Sequence, residues 1–189
     1  MTPGYFAHET ACIDTGASIG KGSKIWHFSH IMPDAQIGIH CNIGQNVVVS
    51  PSVILGDYVK VQNNVSIYTG VICEDYVFLG PSMVFTNVLN PRSEVIRRDQ
   101  YLKTHIKKGV TVGANATLLC GIKIGKYAFI GAGAVVISDV PDFALFVGNP
   151  ARQIGWMSRA GHRLHFNAIG EAFCKESGEK YLLSSLITK

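Results

Sequence analysis

The segment from Val88 to His105 concentrates side chains that bind anions. Its basic residues, with the two that follow it, are Arg92, Arg97, Arg98, Lys103, Lys107 and Lys108. Only Glu94 and Asp99 oppose this charge within the segment. Guanidinium groups form paired hydrogen bonds with phosphate and carboxylate oxygens. The segment is therefore typical of a site for a phosphorylated or carboxylated ligand.

Nucleophilic catalysis is not indicated by the sequence. There is no G-x-S-x-G motif, and no cysteine has a histidine beside it that would activate a thiolate. Cys120 falls at an expected corner of the repeat described next, where it could be exposed, but nothing nearby marks it as reactive. We therefore expect chemistry without a covalent enzyme intermediate.

A six-residue period predicts the secondary structure that holds the two ends of the basic segment. Large apolar side chains, and one cysteine, recur every sixth residue at Ile13, Ile19, Ile25, Ile31, Ile37, Ile43, Val49, Leu55, Val61, Ile67, Cys73, Leu79 and Phe85. A small or branched residue follows four positions later, as at Ala17 and Val47. The period resumes at Ile106 and runs to Val136. A short fixed period predicts a solenoid, and a hexapeptide period predicts a parallel β-helix.

Each hexad supplies one short strand and one corner. Residues that alternate along a strand share a face, so the periodic residue and the residue four later both point inward. Three hexads close a triangular coil, which predicts four coils over residues 13–84 and two more over 106–141. The alternative, amphipathic strands in a β-sandwich, does not explain such strict phasing. We predict an all-β fold, a parallel β-helix.

The period is lost between residues 88 and 105, and this segment must leave the helix as a loop. Its length does not fit the repeat, and Pro91 removes a strand hydrogen-bond donor. Long loops on rigid scaffolds are usually functional. We expect the loop to carry part of a binding site, with a purely oligomer-stabilising loop as the alternative.

The histidines do not form an evident metal site. A zinc site needs three converging ligands, and on this repeat such residues would recur one coil apart or share a corner. No histidine lies between His40 and His105, and His162, His165 and Cys174 lack a fourth ligand. We expect no metal. His27 is retained as a possible ligand contact.

Composition bounds the class of protein. The 189 residues carry a formal net charge of +4, which permits anionic ligands but does not indicate nucleic acid binding. No apolar run is long enough to cross a membrane, and no signal peptide opens the chain. The five cysteines are expected to be reduced. These features favour a cytoplasmic protein with neither membrane nor nucleic acid partners.

With these motifs established, the chain resembles the hexapeptide-repeat acyltransferases, whose fold is a left-handed β-helix. The blocks G-A-G-A-V-V (131–136) and V-G-N-P-A-R (147–152) resemble the coenzyme A-binding end of that superfamily. I-W-H-F (25–28), V-K-V-Q-N-N-V-S-I-Y (59–68) and G-P-S-M-V-F-T-N-V (80–88) resemble the nucleotide-sugar N-acetyltransferases of lipopolysaccharide O-antigen biosynthesis.

The resemblance implies an acceptor. The best match is to the enzymes that acetylate the 3-amino group of UDP-2-acetamido-3-amino-2,3-dideoxyglucuronate, with acetyl-CoA as co-substrate. The blocks Q-I-G-W-M-S-R (153–159) and C-K-E-S-G-E-K-Y (174–181) resemble the C-terminal extension of that branch. The same central blocks occur in enzymes that acylate dTDP-3-amino-3,6-dideoxyhexoses, so that acceptor stays as the alternative.

One position departs from the superfamily pattern in an informative way. The O-acetyltransferases of the superfamily place a catalytic histidine where this chain has Asn115, within V-G-A-N-A-T. Asparagine cannot accept a proton from an alcohol, whereas an amine attacks once it is neutral. The substitution therefore favours an amine acceptor over a hydroxyl.

The resemblance also implies site residues. Asn87 is expected to orient the amine as the catalytic residue. Acetyl-CoA is expected to contact Gly113, Asn115, Gly131, Ala132, Pro150 and Arg152. The nucleotide sugar is expected to contact His27, Gln62, Asn63, Asn87, Arg92 and Arg98. For each asparagine the alternative role is turn geometry, and for each arginine it is solvation.

The resemblance implies a homotrimer with active sites between subunits. Exposed apolar surface that a neighbouring subunit could cover is expected at the outward side chains Val48, Ile54, Phe78 and Phe129. We expect an acyltransferase domain over residues 1–152 and a C-terminal extension over 153–189, with a hairpin near residues 171–183. A γ-class carbonic anhydrase would share the prism, but the missing three-histidine set weighs against it.

Overall fold

A computed structural model describes residues 4–187 of the chain. Residues 1–3, at the start of the predicted acyltransferase domain, and residues 188–189, at the end of the predicted C-terminal extension, lie outside the described residues. Nearly every strand is two or three residues long, because each hexad extends only briefly before its corner. The strands stack into a parallel β-helix, which confirms the predicted fold class.

The strands before the inserted loop follow one another at six-residue intervals. They are β1 (Phe6–Ala7), β2 (Cys12–Ile13), β3 (Ser18–Ile19), β4 (Lys24–Ile25), β5 (His30–Ile31), β6 (Gln36–Ile37), β7 (Asn42–Ile43), β8 (Val48–Val49), β9 (Ile54–Leu55), β10 (Lys60–Val61), β11 (Ser66–Ile67), β12 (Val71–Cys73), β13 (Phe78–Leu79) and β14 (Val84–Phe85).

The remaining elements complete the prism and the C-terminal extension. They are β15 (Thr104–Ile106), β16 (Thr111–Val112), β17 (Thr117–Leu118), β18 (Lys123–Ile124), β19 (Phe129–Ile130), β20 (Val135–Val136), β21 (Ala144–Gly148), β22 (Ala151–Trp156), β23 (Glu171–Phe173), β24 (Lys180–Leu182) and the short helix α1 (Leu183–Ile187).

Three parallel sheets form the faces of the prism. Sheet 1 contains β1, β4, β7, β10, β13, β16, β19 and β21, with β22 added antiparallel to β21. Sheet 2 contains β2, β5, β8, β11, β14, β17 and β20, and sheet 3 contains β3, β6, β9, β12, β15 and β18. We call the corner between sheets 1 and 2 edge 1, that between sheets 2 and 3 edge 2, and that between sheets 3 and 1 edge 3.

The register repeats every coil, so equivalent residues stack in columns. Ile25 pairs with Ile43, Ile43 with Val61, and Val61 with Leu79. All four side chains are fully buried. The residue four positions after each is also buried, as predicted from the hexad pattern. Burial of these columns supplies the apolar stabilisation that no single hexad can supply alone.

The cysteines are free, as predicted for a reduced protein. Cys41 and Cys73 are buried inside the prism, and burial raises the pKa of both thiols. The suggestion that Cys120 could be exposed is wrong, since only 3 % of this residue is accessible. It follows β17 at edge 2, where its backbone N–H donates to Thr86 Oγ1 of the preceding coil at 2.9 Å.

The inserted loop leaves the prism at edge 2. Strand β14 ends at Phe85 and β15 begins at Thr104, so the last two residues of the predicted loop, Thr104 and His105, belong to a strand. Cys73 pairs with Ile106, so the coil that carries the loop spans 33 residues. The prism continues above the loop without a shift of the stacking direction.

The C-terminal extension starts on the prism and then departs from it. Strand β22 runs across the predicted boundary at residue 152 and ends at Trp156. Strands β23 and β24 form an antiparallel hairpin, and Tyr181 packs edge-on against Phe143 at the end of edge 3. Leu164, Ala172, Cys174 and Tyr181 form a second small core there. Within residues 4–187 no helix has the length and apolarity to cross a bilayer.

Candidate active site

The inserted loop borders an open cavity with a volume of about 660 Å³. Tyr68 and Asn87 line it from edge 2, and Arg92, Arg97, Arg98 and Tyr101 line it from the loop. The structure thus brings three of the predicted substrate residues, Asn87, Arg92 and Arg98, to one place. None of the described residues lining this cavity is acidic, so its charge favours an anionic ligand.

Asn87 sits where the chain leaves the prism. Its backbone carbonyl accepts a hydrogen bond from the N–H of Leu102 at 3.0 Å, which closes the base of the loop. The neighbouring Thr86 is held to the next coil by the N–H of Cys120. The side-chain amide of Asn87, by contrast, has no hydrogen-bond partner among residues 4–187. A rigidly placed amide with free donors and an acceptor is suited to orient a bound polar group.

Arg97 lines the cavity, although it was not among the substrate-binding residues predicted from the sequence. Its Nη1 donates to Gln100 Oε1 at 3.1 Å, which fixes the guanidinium. Its Nε is buried and has no hydrogen-bond partner in the described part of the chain. A buried donor left unpaired is costly, so a ligand oxygen that accepts from Nε would relieve the cost. Arg97 belongs to the basic segment, and that was the only signal for it.

Tyr68 was also missed, although the repeat carried a signal for it. Ser66 pairs with Val84 in sheet 2, so Tyr68 lies one coil below Thr86 and close to Asn87. The register aligns Tyr68 with Thr86, the residue before Asn87, and this proximity was the signal for it. Tyr68 is 38 % exposed and lines the cavity with its ring.

The predicted acetyl-CoA residues of the prism lie on edge 1, away from the loop. Gly113 and Asn115 follow β16, and Gly131 and Ala132 follow β19 directly above them. A Cβ atom at Gly113 would lie 2.5 Å from the backbone nitrogen of Ala132, so the coils approach closely here. Small side chains leave the backbone of this edge open to a ligand.

Asn115 occupies the corner in a left-handed conformation, with φ of 55°. Asparagine tolerates this region better than most residues, which supports a role in turn geometry. Asn115 is nevertheless exposed, and its side chain has no hydrogen-bond partner among residues 4–187. Both roles are compatible with this geometry.

Pro150 and Arg152 lie at the turn between β21 and β22, at the same end of the prism. Both are exposed. Arg152 Nη1 donates to the carbonyl oxygen of Ala151 at 3.0 Å, and the guanidinium keeps further donors open to solvent. An exposed arginine at this position can meet a phosphate without desolvation cost.

His27, Gln62 and Asn63 lie on edge 1, nearer the N-terminal end. They line a shallow cavity of about 220 Å³ together with Trp26 and Asn42. The ring of His27 stacks on that of His8 with centroids 3.5 Å apart. Asn63 Oδ1 accepts a hydrogen bond from the N–H of Gln45 at 2.9 Å, so this oxygen supports the corner.

The predicted site residues therefore fall into two groups on one chain. One group surrounds the loop cavity at edge 2, and the other follows edge 1 from His27 to Ala132. Sheet 2 separates the two edges, so they do not share a cavity within a single chain. No three histidines converge anywhere in residues 4–187.

Comparisons with known proteins identify the family and agree with the hexapeptide-repeat fold. The family model for the bacterial transferase hexapeptide (six repeats) matches residues 16–51 and 103–138, and that for the hexapeptide repeat of succinyl-transferase matches residues 35–69. The chain is 43 % identical over 176 residues to the dTDP-3-amino-3,6-dideoxy-alpha-D-galactopyranose 3-N-acetyltransferase of Aneurinibacillus thermoaerophilus. That alignment covers 93 % of this chain and 90 % of the relative.

Two solved structures share the fold. A point mutant of AntD, an N-acyltransferase from Bacillus cereus in complex with dTDP and coenzyme A, matches with a TM-score of 0.54 and 19 % identity over 82 % of this chain and 84 % of that chain. The acetyltransferase domain of PglB from Neisseria gonorrhoeae FA1090, in complex with acetyl coenzyme A, matches with a TM-score of 0.53 and 19 % identity over 79 % of this chain. The match covers 57 % of the PglB chain.

Proposed function

Because the chain belongs to the bacterial transferase hexapeptide family and is an acetyl-CoA-dependent N-acetyltransferase of nucleotide-linked amino sugars, we propose that its acceptor is the 3-amino group of a dTDP-3-amino-3,6-dideoxyhexose. The observation that carries this choice is the 43 % identity, over 93 % of the chain, to an enzyme named for such an acceptor. The acceptor first expected from the sequence, UDP-2-acetamido-3-amino-2,3-dideoxyglucuronate, differs in nucleotide and sugar but presents the same amine.

A specific feature of the cavity keeps the glucuronate as a second candidate. Arg92, Arg97 and Arg98 line the cavity together with no acidic residue. The diphosphate common to both substrates needs cationic partners, and a sugar carboxylate would need one more. Three arginines are enough for both groups, whereas a 6-deoxy sugar leaves one of them without an anionic partner.

We infer a direct transfer without a covalent enzyme intermediate. The neutral 3-amine attacks the thioester carbonyl carbon, a C–N bond forms, and the C–S bond breaks to release coenzyme A as its thiol after proton transfer. Asn87 orients the amine through its unpaired amide oxygen, which accepts a hydrogen bond from the amine. No histidine lines the loop cavity, which fits an acceptor that needs no general base.

The enzyme supplies positioning and charge stabilisation in this mechanism. Holding amine and thioester in reacting geometry replaces a bimolecular encounter, which lowers the barrier by several kcal/mol, on the order of 7–11 for well-oriented reactants. Asn115, exposed on edge 1, is placed to donate to the developing oxyanion or to the pantetheine. Gly113, Gly131, Ala132, Pro150 and Arg152 line the path proposed for acetyl-CoA on that edge.

The proposed site combines the two groups of residues from two different chains. In a homotrimer, edge 2 of one subunit faces edge 1 of its neighbour, so the loop cavity meets the acetyl-CoA path. Exposed apolar side chains on the loop support an interface: Leu89 is 63 % exposed, Val95 45 % and Ile96 83 %. Of the outward apolar residues expected from the sequence, Ile54 is 38 % exposed, and Val48, Phe78 and Phe129 are half-buried.

The proposal is tested by following release of coenzyme A with three acceptors: a dTDP-3-amino-3,6-dideoxyhexose, UDP-2-acetamido-3-amino-2,3-dideoxyglucuronate and UDP-N-acetylglucosamine. We expect turnover of the first and none of the third, which has no free amine. Preferred turnover of the glucuronate would replace the proposed acceptor with the second candidate. No turnover of either amine would contradict both.

A further inference from the structure

Cys12, Asp14 and His30 bring three different metal-ligand types together on the outer face of sheet 2. Cys12 pairs with His30 in the register of β2 and β5, and Asp14 follows β2. Cys12 Sγ lies 3.6 Å from Asp14 Oδ1, and His30 Nε2 lies 2.9 Å from Asp14 Oδ2. One ligand atom from each residue lies within 4.8 Å of the others. This group was not predicted from the sequence, although Cys12 and His30 stand 18 residues, one coil, apart.

The distances suit a tetrahedral ion. Zinc binds thiolate, imidazole and carboxylate at about 2.0–2.3 Å, so its ligand atoms lie roughly 3.3–3.8 Å apart. The thiol–carboxylate distance already falls in this range, and the imidazole–carboxylate pair needs to open by less than about 1 Å. A mixed sulfur, nitrogen and oxygen set favours zinc over calcium or magnesium, which prefer oxygen ligands. Water would fill the fourth position.

The group is accessible without unfolding. The side chains of His30 and Asp14 are 36 % and 34 % exposed, and Cys12 is exposed. The other four cysteines, all within the described residues, are buried. Among the thiols of residues 4–187, this one alone is exposed on the surface of a single chain.

The location gives the ion a structural role. Cys12 and Asp14 belong to the first coil and His30 to the second. Side chains that line the first coil, including Ala11, Ile13, Ala17 and Ile19, are only partly buried, because within residues 4–187 this coil pairs with another coil on one side only. The opposite end of the prism is covered by β22. A link between the first two coils would stabilise the first coil, beyond which no strand of residues 4–187 lies.

We propose that Cys12, Asp14 and His30 bind one zinc ion per chain, which ties the first coil of the prism to the second. None of the three lines the loop cavity, so the ion is separate from the acetyl-transfer site. It restrains the terminal coil, and acetyl transfer proceeds without it.

Cobalt(II) titration of metal-free protein tests the proposal, because cobalt replaces zinc and reports thiolate coordination in its absorption spectrum. We expect one equivalent of cobalt to produce a thiolate-to-cobalt charge-transfer band that zinc abolishes. Cys12→Ser should remove the band, and His30→Gln should weaken cobalt binding at least tenfold. His105→Gln is the matched control, since His105 forms an exposed pair with Glu74 at 3.1 Å without a thiol, and it should retain the band.

Absence of the band in wild-type protein, or its persistence in Cys12→Ser, would overturn the proposal. A measurement on wild-type protein keeps the proposal testable if the variants fail to fold. Zinc should slow alkylation of wild-type Cys12 by iodoacetamide at least tenfold. Mass spectrometry of the peptide that contains Cys12 measures the alkylation. Equal alkylation with and without zinc would count against the site. Saturating zinc should also raise Tm by about 5–10 °C in wild-type protein and not in Cys12→Ser.

Discussion

The backbone N–H of Leu102 donates to the carbonyl oxygen of Asn87 at 3.0 Å, so the two ends of the inserted loop meet at the residue expected to orient the acceptor. The loop above this bond carries the arginines of the cavity, and the side chain of Asn87 has no hydrogen-bond partner within residues 4–187. One residue therefore anchors the loop through its backbone and offers its amide to the ligand. This division between backbone and side chain makes the role of the amide testable by substitution.

Replacement of Asn87 by alanine should remove the orienting amide while leaving the backbone bond to Leu102 intact. We expect kcat/KM for the amino sugar to fall about 10²–10³-fold, the loss seen when a single positioned polar group is removed from an active site. Steady-state release of coenzyme A measures it. Asn90→Ala, an exposed asparagine of the same loop outside the cavity, is the control and should retain wild-type activity. Equal losses in both variants would mean that the loop, and not the amide, was disturbed.

Replacement of Arg97 by glutamine should weaken binding of the nucleotide sugar. Its buried Nε has no hydrogen-bond partner in the described part of the chain. A hydrogen bond to a charged group contributes about 1.5–3 kcal/mol, so KM should rise roughly 10- to 100-fold with little change in kcat. Lys103→Gln, on the same loop but outside the cavity, should leave KM unchanged. An equal rise in KM for the dTDP and UDP acceptors would assign Arg97 to the diphosphate. A rise in KM for the glucuronate alone would assign Arg97 to the sugar carboxylate. An unchanged KM would remove Arg97 from the site.

The pH profile should follow the acceptor amine. Only the neutral amine attacks, and an amine with a pKa near 8 gives a kcat/KM that rises about tenfold per pH unit below pH 7 and levels off above about pH 9. Asn87→Ala should lower the whole curve without moving its midpoint, because an amide does not titrate. A second ionisation in the wild-type profile would indicate a general base in the enzyme and would contradict the proposed mechanism.

Substitution of Gly113 by alanine tests the close approach of coils on edge 1. The new Cβ would lie 2.5 Å from the backbone nitrogen of Ala132, and overpacking of this kind costs about 1–3 kcal/mol. Differential scanning calorimetry should record a fall in Tm of about 2–4 °C for each kcal/mol. Gly4→Ala, where the nearest atom is 3.7 Å away, should leave Tm unchanged. A Gly113→Ala variant as stable as wild type would mean that the two coils separate readily.

Mixed oligomers should reveal whether the two edges act across a subunit interface. Asn87→Ala damages edge 2, and Ala132→Trp obstructs the acetyl-CoA path on edge 1, so each homotrimer should have little activity. Co-expressed in equal amounts, the two chains should recover about a quarter of wild-type activity, since random mixing leaves that share of interfaces with both edges intact. If both edges of a site belonged to one chain, every site would be defective and no activity would return.

Much of the fold followed from residue spacing alone. The six-residue period that places Ile25, Ile43 and Val61 one coil apart predicted both the strands and the buried columns, because strand alternation and corner geometry are local properties of the chain. The same period places Cys12 and His30 one coil apart, so comparing every cysteine and histidine at that spacing would have found this pair. The position of the break before the loop was also readable, because a loss of period is itself a local signal.

The sequence by itself determined the parallel β-helix, the place where a basic loop leaves it and, through resemblance, the acyl-transfer chemistry. Only the tertiary structure decided that Asn87, Tyr68 and Arg97 share one cavity, that Arg97 Nε is buried without a partner, and that the residues of edge 1 lie apart from this cavity. The physical reason is that the repeat fixes the positions of residues inside the prism, whereas the path of a non-repeating loop depends on contacts between distant parts of the chain, such as Leu102 with Asn87.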